Sequence, residues 1–248
     1  MQKDRKVEYV YTYTLKSFTT DAELLDMYGK RPDAFNEEEH VARIDPEEDS
    51  PKRRRTVYRT ILHYFPQSQV AANNLAVLLL REDKANEAEA VLNGLKEYSP
   101  EVLNTKAAVY VYKGNNEKAI ELLQVNTELP QARYNLALLK AQERKLQEAY
   151  TLMQGYEDVN AAVVSLSVGD TQHAASIMDR CEDHTPLAEY VRALVAARMQ
   201  KEADEVAARL EHALSDSRLK ERMQTEPDFL PYLTTPAFQA LTEGKDYE

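Results

Sequence analysis

The stretch Ala107-Ala-Val-Tyr-Val-Tyr-Lys-Gly-Asn-Asn-Glu-Lys-Ala119-Ile-Glu-Leu-Leu123 decides the fold. Apolar residues recur at helical spacing on both sides of a Gly-Asn turn, and Ala107 and Ala119 stand twelve residues apart. Small residues mark the places where two helices approach most closely, so the pair predicts a helical hairpin that packs on neighbours. Outward from it, Ala76/Ala88, Ala137/Ala149 and Ala162/Ala174 repeat the twelve-residue interval. A fifth unit has Val191 where the first alanine would stand and Ala203 twelve residues on, with Leu194, Val206 and Leu210 as its apolar stripe. Such short hairpins cannot bury their apolar faces alone, so the repetition predicts an all-α stack, an α-solenoid. Leucine in place of Ala119 or Ala149 then overpacks a helix crossing, at an expected cost of about 1–3 kcal/mol in urea unfolding. Unchanged stability in both variants would refute the register.

Other residues recur in phase with the alanines. Asn74, Asn135 and Asn160 stand two residues before the first alanine, and Asp83, Gly114 and Gly169 stand seven after it, with Pro100 closing the first unit. This pattern resembles the tetratricopeptide repeat, whose small residues mark both helices of a hairpin, with a turn between them and proline at the exit. Tyr110 and the Gly-Asn turn match the family's first-helix tyrosine and turn. The resemblance implies a right-handed α-solenoid of about five hairpins over residues 67–214, with the first helices lining a concave side. The chain also departs from the family. Successive first alanines are 31, 30 and 25 residues apart, against about 34 in that repeat, and the early tryptophan is missing, so the superhelix should be irregular.

Composition narrows the function. The 248 residues carry a formal charge of −11, which argues against nucleic acid as the main partner. The one basic cluster, Lys52 to Arg55, follows an acidic stretch and reads as local neutralisation. No segment approaches a membrane span. Cys181 is the single cysteine, so no internal disulfide can form, and helical spacing puts it on the inward stripe with Ile177 and Met178. His40, His63, His173, His184 and His212 are scattered, and Cys181 with His184 lacks the further ligands of a structural zinc site. These patterns predict no cofactor, no metal site and no enzyme.

Function then falls to a surface. Extended peptides or partner helices bind such arrays through side chains that recur once per repeat. Asn73, Asn74, Asn104, Asn135 and Asn160 recur in this way, and Arg81, Tyr112 and Tyr134 complete the candidate partner-binding face. An amide donates and accepts, so a ladder of asparagines can bond a peptide backbone without dictating its sequence. The alternative is that these asparagines brace adjacent helices, since asparagine needs a reason to occupy a helix interior. Family members that clamp a terminal carboxylate use lysines in the groove. Asn73, Asn104 and Tyr134 stand in the corresponding places, so that clamp is not expected.

The ends add context. Val7, Tyr9, Tyr11, Tyr13 and Leu15 alternate with other residues at period two and read as one β-strand, and nothing later in the chain reads as its partner. We expect it, within residues 1–17, to pair with a preceding domain or with a second copy of the chain. Asp4-Arg5-Lys6-Val7-Glu8 resembles the start of the last strand in outer-membrane-protein-A-like peptidoglycan-binding domains. That resemblance implies a bacterial envelope location, periplasmic or outer-membrane-associated; a cytoplasmic adaptor is the alternative. Residues 18–66 should be helical: a capping box at Thr20 to Glu23 opens a helix over Asp21 to about Gly29, Asn36 with Glu39 forms a second box, Asp45 to Pro51 is a loop, and a helix runs from Arg54 to Phe65. Residues 215–248 should cap the array, with Phe229, Leu233, Phe238 and Leu241 covering its open end.

Overall fold

The computed structural model describes residues 30–41 and 50–243. The expected strand at residues 7–15, the box at Thr20 to Glu23 with its helix, and the loop residues 45–49 lie outside the described residues. The described chain is all-α and contains two compact units, residues 1–97 and 98–248.

In the first unit a 3₁₀ turn, Pro32–Ala34, precedes α1 (Glu37–Val41), α2 (Pro51–Tyr64), α3 (Gln69–Arg81) and α4 (Ala85–Asn93). The Asn36–Glu39 box forms as expected: the Asn36 side chain accepts from the Glu39 N–H at 2.9 Å, and Glu39 accepts from the Asn36 N–H at 2.8 Å. Helix α2 begins three residues before the expected Arg54. The Ser50 hydroxyl accepts the Arg53 N–H at 3.2 Å, and Pro51 sits at the first helical position, where its missing N–H costs nothing. Tyr58 and Ile61 of α2 are buried, α2 packs on α3, and α3 packs on α4 as a hairpin.

The second unit holds four more hairpins: α5 (Pro100–Tyr112) with α6 (Asn116–Gln124), α7 (Pro130–Gln142) with α8 (Leu146–Leu152), α9 (Val159–Ser167) with α10 (Thr171–Arg180), and α11 (Pro186–Arg198) with α12 (Ala203–Ala213). Each second helix packs on the next first helix, and first helices also touch in the pairs α5–α7 and α9–α11. All eight paired alanines, from Ala76 to Ala174, are at most 1% exposed. Tetratricopeptide-like hairpins are therefore the unit of this fold.

Every hairpin turn is closed in one way. A residue in the left-handed region follows the first helix, at Asp83, Gly114, Arg144, Gly169 and Gln200, with φ of 58°, 74°, 63°, 86° and 56°. The next N–H then reaches back over the helix end: Lys84 to the Leu79 carbonyl at 2.9 Å, Asn115 to Tyr110 at 2.8 Å, Lys145 to Lys140 at 2.9 Å, Asp170 to Ser165 at 2.9 Å and Lys201 to Ala196 at 3.0 Å. These are Schellman closures, which satisfy carbonyls that the helix leaves without a donor. A left-handed L-residue costs roughly 1–2 kcal/mol and glycine escapes most of that, so Arg144→Gly and Gln200→Gly should each stabilise by about 0.5–1 kcal/mol. A lower melting temperature in both variants would contradict this.

The turns correct the fifth register. Counting seven residues back from Gln200 reaches Ala193, not Val191, and Ala193 is 0% exposed. The matching site in α12 is Val206, also 0% exposed, because the turn before α12 is one residue longer than the others. Ala203 is the first residue of its helix and only half-buried. Cys181 packs against the core that holds Ile177 and Met178, as expected, but from just beyond the helix rather than within it. Helix α10 stops at Arg180, and Cys181 takes an extended cap conformation, half-buried. Arg192 of α11 holds the chain beyond the stop: its guanidinium donates to the carbonyls of Cys181 at 2.5 Å and Asp183 at 2.7 Å, and it pairs with Glu189 at 2.8 Å.

After α12 come α13 (Ser217–Met223), a 3₁₀ turn over Pro227–Tyr232, and α14 (Pro236–Glu243). Phe229 and Phe238 are at most 1% exposed, with Leu233 and Leu241 partly buried beside them, so this segment forms the expected cap. Phe229 meets Tyr190 of α11 edge-on at 5.5 Å, and Tyr232 stacks on Phe238 at 5.5 Å. Burial, reinforced by nearby Glu226, pushes the Tyr190 hydroxyl up to about 12.

Candidate functional site

The two helices of a hairpin differ in what they show to water. In the second unit the first helices expose Val111, Tyr112, Val163 and Leu187 at 39–56%, whereas the described second helices expose no large apolar side chain. Helix α9 carries no charged residue at all. Its water-facing stripe is Asn160, Val163 and Ser167, one apolar side chain between two neutral polar ones. Acidic residues outnumber basic ones on the second helices, and the reverse holds on the first helices.

The expected partner-binding residues fall on these first helices, and several meet each other. The Asn135 amide donates to the Asn104 carbonyl oxygen at 2.9 Å, tying α7 to α5. One hairpin further on, the Asn160 amide donates to the Tyr134 hydroxyl at 2.8 Å, and that hydroxyl donates to Asp158 at 2.6 Å. Burial, then the bond to Asp158, shifts the Tyr134 phenol upward. Tyr134 also meets Tyr156 edge-on at 5.0 Å, and the Tyr156 hydroxyl donates to the Pro130 carbonyl at 2.5 Å. These asparagines therefore brace first helix to first helix. Each does so through its Nδ2, and the side-chain oxygens of Asn135 and Asn160 have no hydrogen-bond partner among the described residues.

Tyr112, 56% exposed, stands apart from these pairs at the end of α5. In the first unit, Asn74 reaches the Tyr58 hydroxyl, Asn73 holds a buried side-chain oxygen without a hydrogen-bond partner, and Arg81 is exposed at the end of α3.

Three hollows are described in the second unit, one of them, about 430 Å³, open beside the α7–α8 turn at Arg144 to Glu148. A hollow of about 290 Å³ between α5 and α7 is lined by Ala107, Ala108, Val111, Tyr112, Asn135 and Leu138, with Leu123, Leu139 and Gln142. A larger one, about 610 Å³, lies among α10, α11 and α12 and includes Cys181, His184 and Arg192. Its charges are largely spent inside the protein: Arg180 pairs with Glu157 at 3.0 Å, and Arg192 and His184 share Glu189 at 2.8 Å and 3.0 Å. Among the described residues, no group of three or more His, Cys, Asp or Glu could hold a metal ion. No described helix is long and apolar enough to cross a membrane.

The sequence reading missed Val111, Leu138, Val163 and Leu187. Their signal was present, since each is an extra apolar residue on a helix whose buried stripe is already complete.

No family model matches the chain, and no curated protein matches it. Among solved structures it is similar to PilF of Pseudomonas aeruginosa, a protein containing tetratricopeptide repeats, with 15% identity and a TM-score of 0.53 over 90% of this chain and 95% of that one. The likeness is one of fold.

Proposed function

We propose that this chain is a non-enzymatic scaffold that binds an extended segment of a partner protein on the first-helix face of its second unit. The observation that carries the reading is the asymmetry of apolar exposure: first helices show Val111, Tyr112, Val163 and Leu187 to water, and second helices keep their apolar residues inside. Apolar exposure within the helices is concentrated on the first helices, which supports that side as the interaction surface; outside the helices Val125, in the turn after α6, is 78% exposed. The oxygens left on Asn135 and Asn160 add acceptors for peptide N–H groups, one per hairpin. The net charge of −11 supports a protein partner over nucleic acid.

Peptides selected by display on the full chain supply the test. Val111→Glu and Val163→Glu, both at exposed sites, should weaken the selected peptides at least tenfold while far-ultraviolet circular dichroism is unchanged. A charge reversal on a second helix, Glu121→Lys, should leave affinity within twofold. Equal losses from both faces, or no peptide enriched over background, would overturn the reading.

A bacterial envelope location is part of the same proposal, and its support is the Asp4 to Glu8 resemblance. Fractionation of cells carrying a tagged native gene decides it against a cytoplasmic adaptor. A structural role through strand 7–15 would instead show as a fall in particle mass when residues 1–15 are deleted.

A further inference from the structure

The hollow between α5 and α7 has a cause in the sequence. The residue that follows the packing alanine is Val77, Leu138, Val163 and Leu194 in four hairpins, but Ala108 in the fifth. One branched side chain is missing where every other hairpin has one. The space it would fill remains open, walled by Val111, Leu138 and Leu139 and bordered by the exposed Tyr112 and Gln142. At about 290 Å³ it falls at the lower edge of ligand pockets, which span roughly 300–1,000 Å³. That is room for one side chain and too little for a cofactor.

Resting on the first-helix face as a binding surface, we infer that this hollow is a socket for one bulky, uncharged side chain of an extended partner segment, whose main chain donates to the free oxygen of Asn135. Charge decides the first half. No Asp, Glu, Lys, Arg or His stands among the nine lining residues. The nearby cations are engaged: Lys106 donates to the Tyr98 hydroxyl at 3.0 Å and lies over its ring, and Lys140 is buried against Glu148 at 3.1 Å. A carboxylate or ammonium entering here meets no opposite charge, with only the neutral Asn135, Gln142 and Tyr112 as polar neighbours, so it gives up more hydration than it recovers and an uncharged side chain is favoured. Backbone chemistry decides the second half. Asn135 lines the hollow, its Nδ2 is committed to Asn104, and its Oδ1 accepts only from a donor that arrives from outside. A helix interior has spent its N–H groups on itself, whereas an extended chain offers every second one to the surface beside it. The occupant is therefore extended, with a side chain of leucine, methionine or phenylalanine type.

The test uses the full chain with labelled leucine and valine methyls and three blocked probes: N-acetyl-leucinamide, N-acetyl-lysinamide and N-acetyl-aspartamide. The leucine probe should shift the methyl signals of Val111, Leu138 and Leu139 with saturation in the millimolar range, on the order expected for one side chain. The two charged probes should leave them in place. Ala108→Leu restores the residue type of the other hairpins, so it should keep or raise the melting temperature and abolish the response. Equal shifts from the charged probes, or shifts that persist in Ala108→Leu, overturn the socket. A second copy of the chain as occupant would appear as a concentration-dependent mass in sedimentation that Ala108→Leu removes, and this too overturns it. Display peptides that still bind Ala108→Leu but fail on Val163→Glu would sink the socket and leave the broader binding reading standing.

Discussion

Phe229→Ala lowers the stability of the second unit by about 3–5 kcal/mol, the range for emptying a buried aromatic site. Phe229 is 0% exposed and is the keystone between Tyr190 of the last hairpin and Phe238 of the terminal helix, at ring distances of 5.5 Å and 6.0 Å. Four rings, with Tyr232 stacked on Phe238, share one cluster, so the cavity left by alanine cannot close without moving the cap. Stacked hairpins are stabilised by their nearest neighbours, and the loss should concentrate where the cap sits. Amide exchange should therefore accelerate first in α11 and α12 and much less in α5 and α6. Uniform acceleration across the unit would show that the cap is not a local stabiliser. A loss under 1 kcal/mol would show that the cluster is loosely packed.

Arg192→Ala should cost about 2–4 kcal/mol. The side chain is 10% exposed and stitches the end of α10 to α11, while its partner Glu189 is 16% exposed. Removing one member of a shielded ion pair leaves the other charge without compensation, typically about 3–5 kcal/mol in a full interior and less where water reaches the partner. The carbonyls of Cys181 and Asp183 lose their donor as well. The effect carries a pH signature. Burial works to raise the Glu189 carboxyl, but the hydrogen bond with His184 and the charge of Arg192 hold it below its usual 4.5. A depressed carboxyl contributes stability above the unfolded value and loses it as pH falls through the folded one. The gap between native protein and Arg192→Ala should thus be widest near neutrality and narrow as pH falls through and below 4.5. A gap that is constant with pH would assign the loss to packing alone.

How far the fold could be read from the chain depended on what each residue had to satisfy. Alanine spacing exposed four hairpins because a close helix crossing favours small residues, and all eight alanines from Ala76 to Ala174 are buried there. The fifth register slipped because one extra turn residue before α12 breaks the twelve-residue interval, and only backbone conformation at Gln200 restores the count. Asn135 and Asn160 could be located by their recurrence, but recurrence does not say which amide atom is committed. That depends on Asn104 and Tyr134, which come from the preceding hairpin. The cluster of Phe229 and Phe238 was legible as a cap since an open stack end demands apolar cover. Cys181 was read on the correct inward side but one residue too far inside α10, because the carbonyl bond that Arg192 makes to it comes from eleven residues later in the chain.

Helix α9 has nine residues where the other first helices of its unit have thirteen. The four-residue difference is close to one full turn of 3.6 residues. The missing residues all precede the packing alanine: α9 starts three residues before Ala162, whereas α5, α7 and α11 start seven before Ala107, Ala137 and Ala193. A helix trimmed at its end leaves the bearing of every remaining side chain unchanged, and Ala162 stays 0% exposed. Shortening at this end therefore alters only how far a first helix reaches along its neighbours, by about 6 Å at roughly 1.5 Å per residue, and leaves the register of the stack untouched.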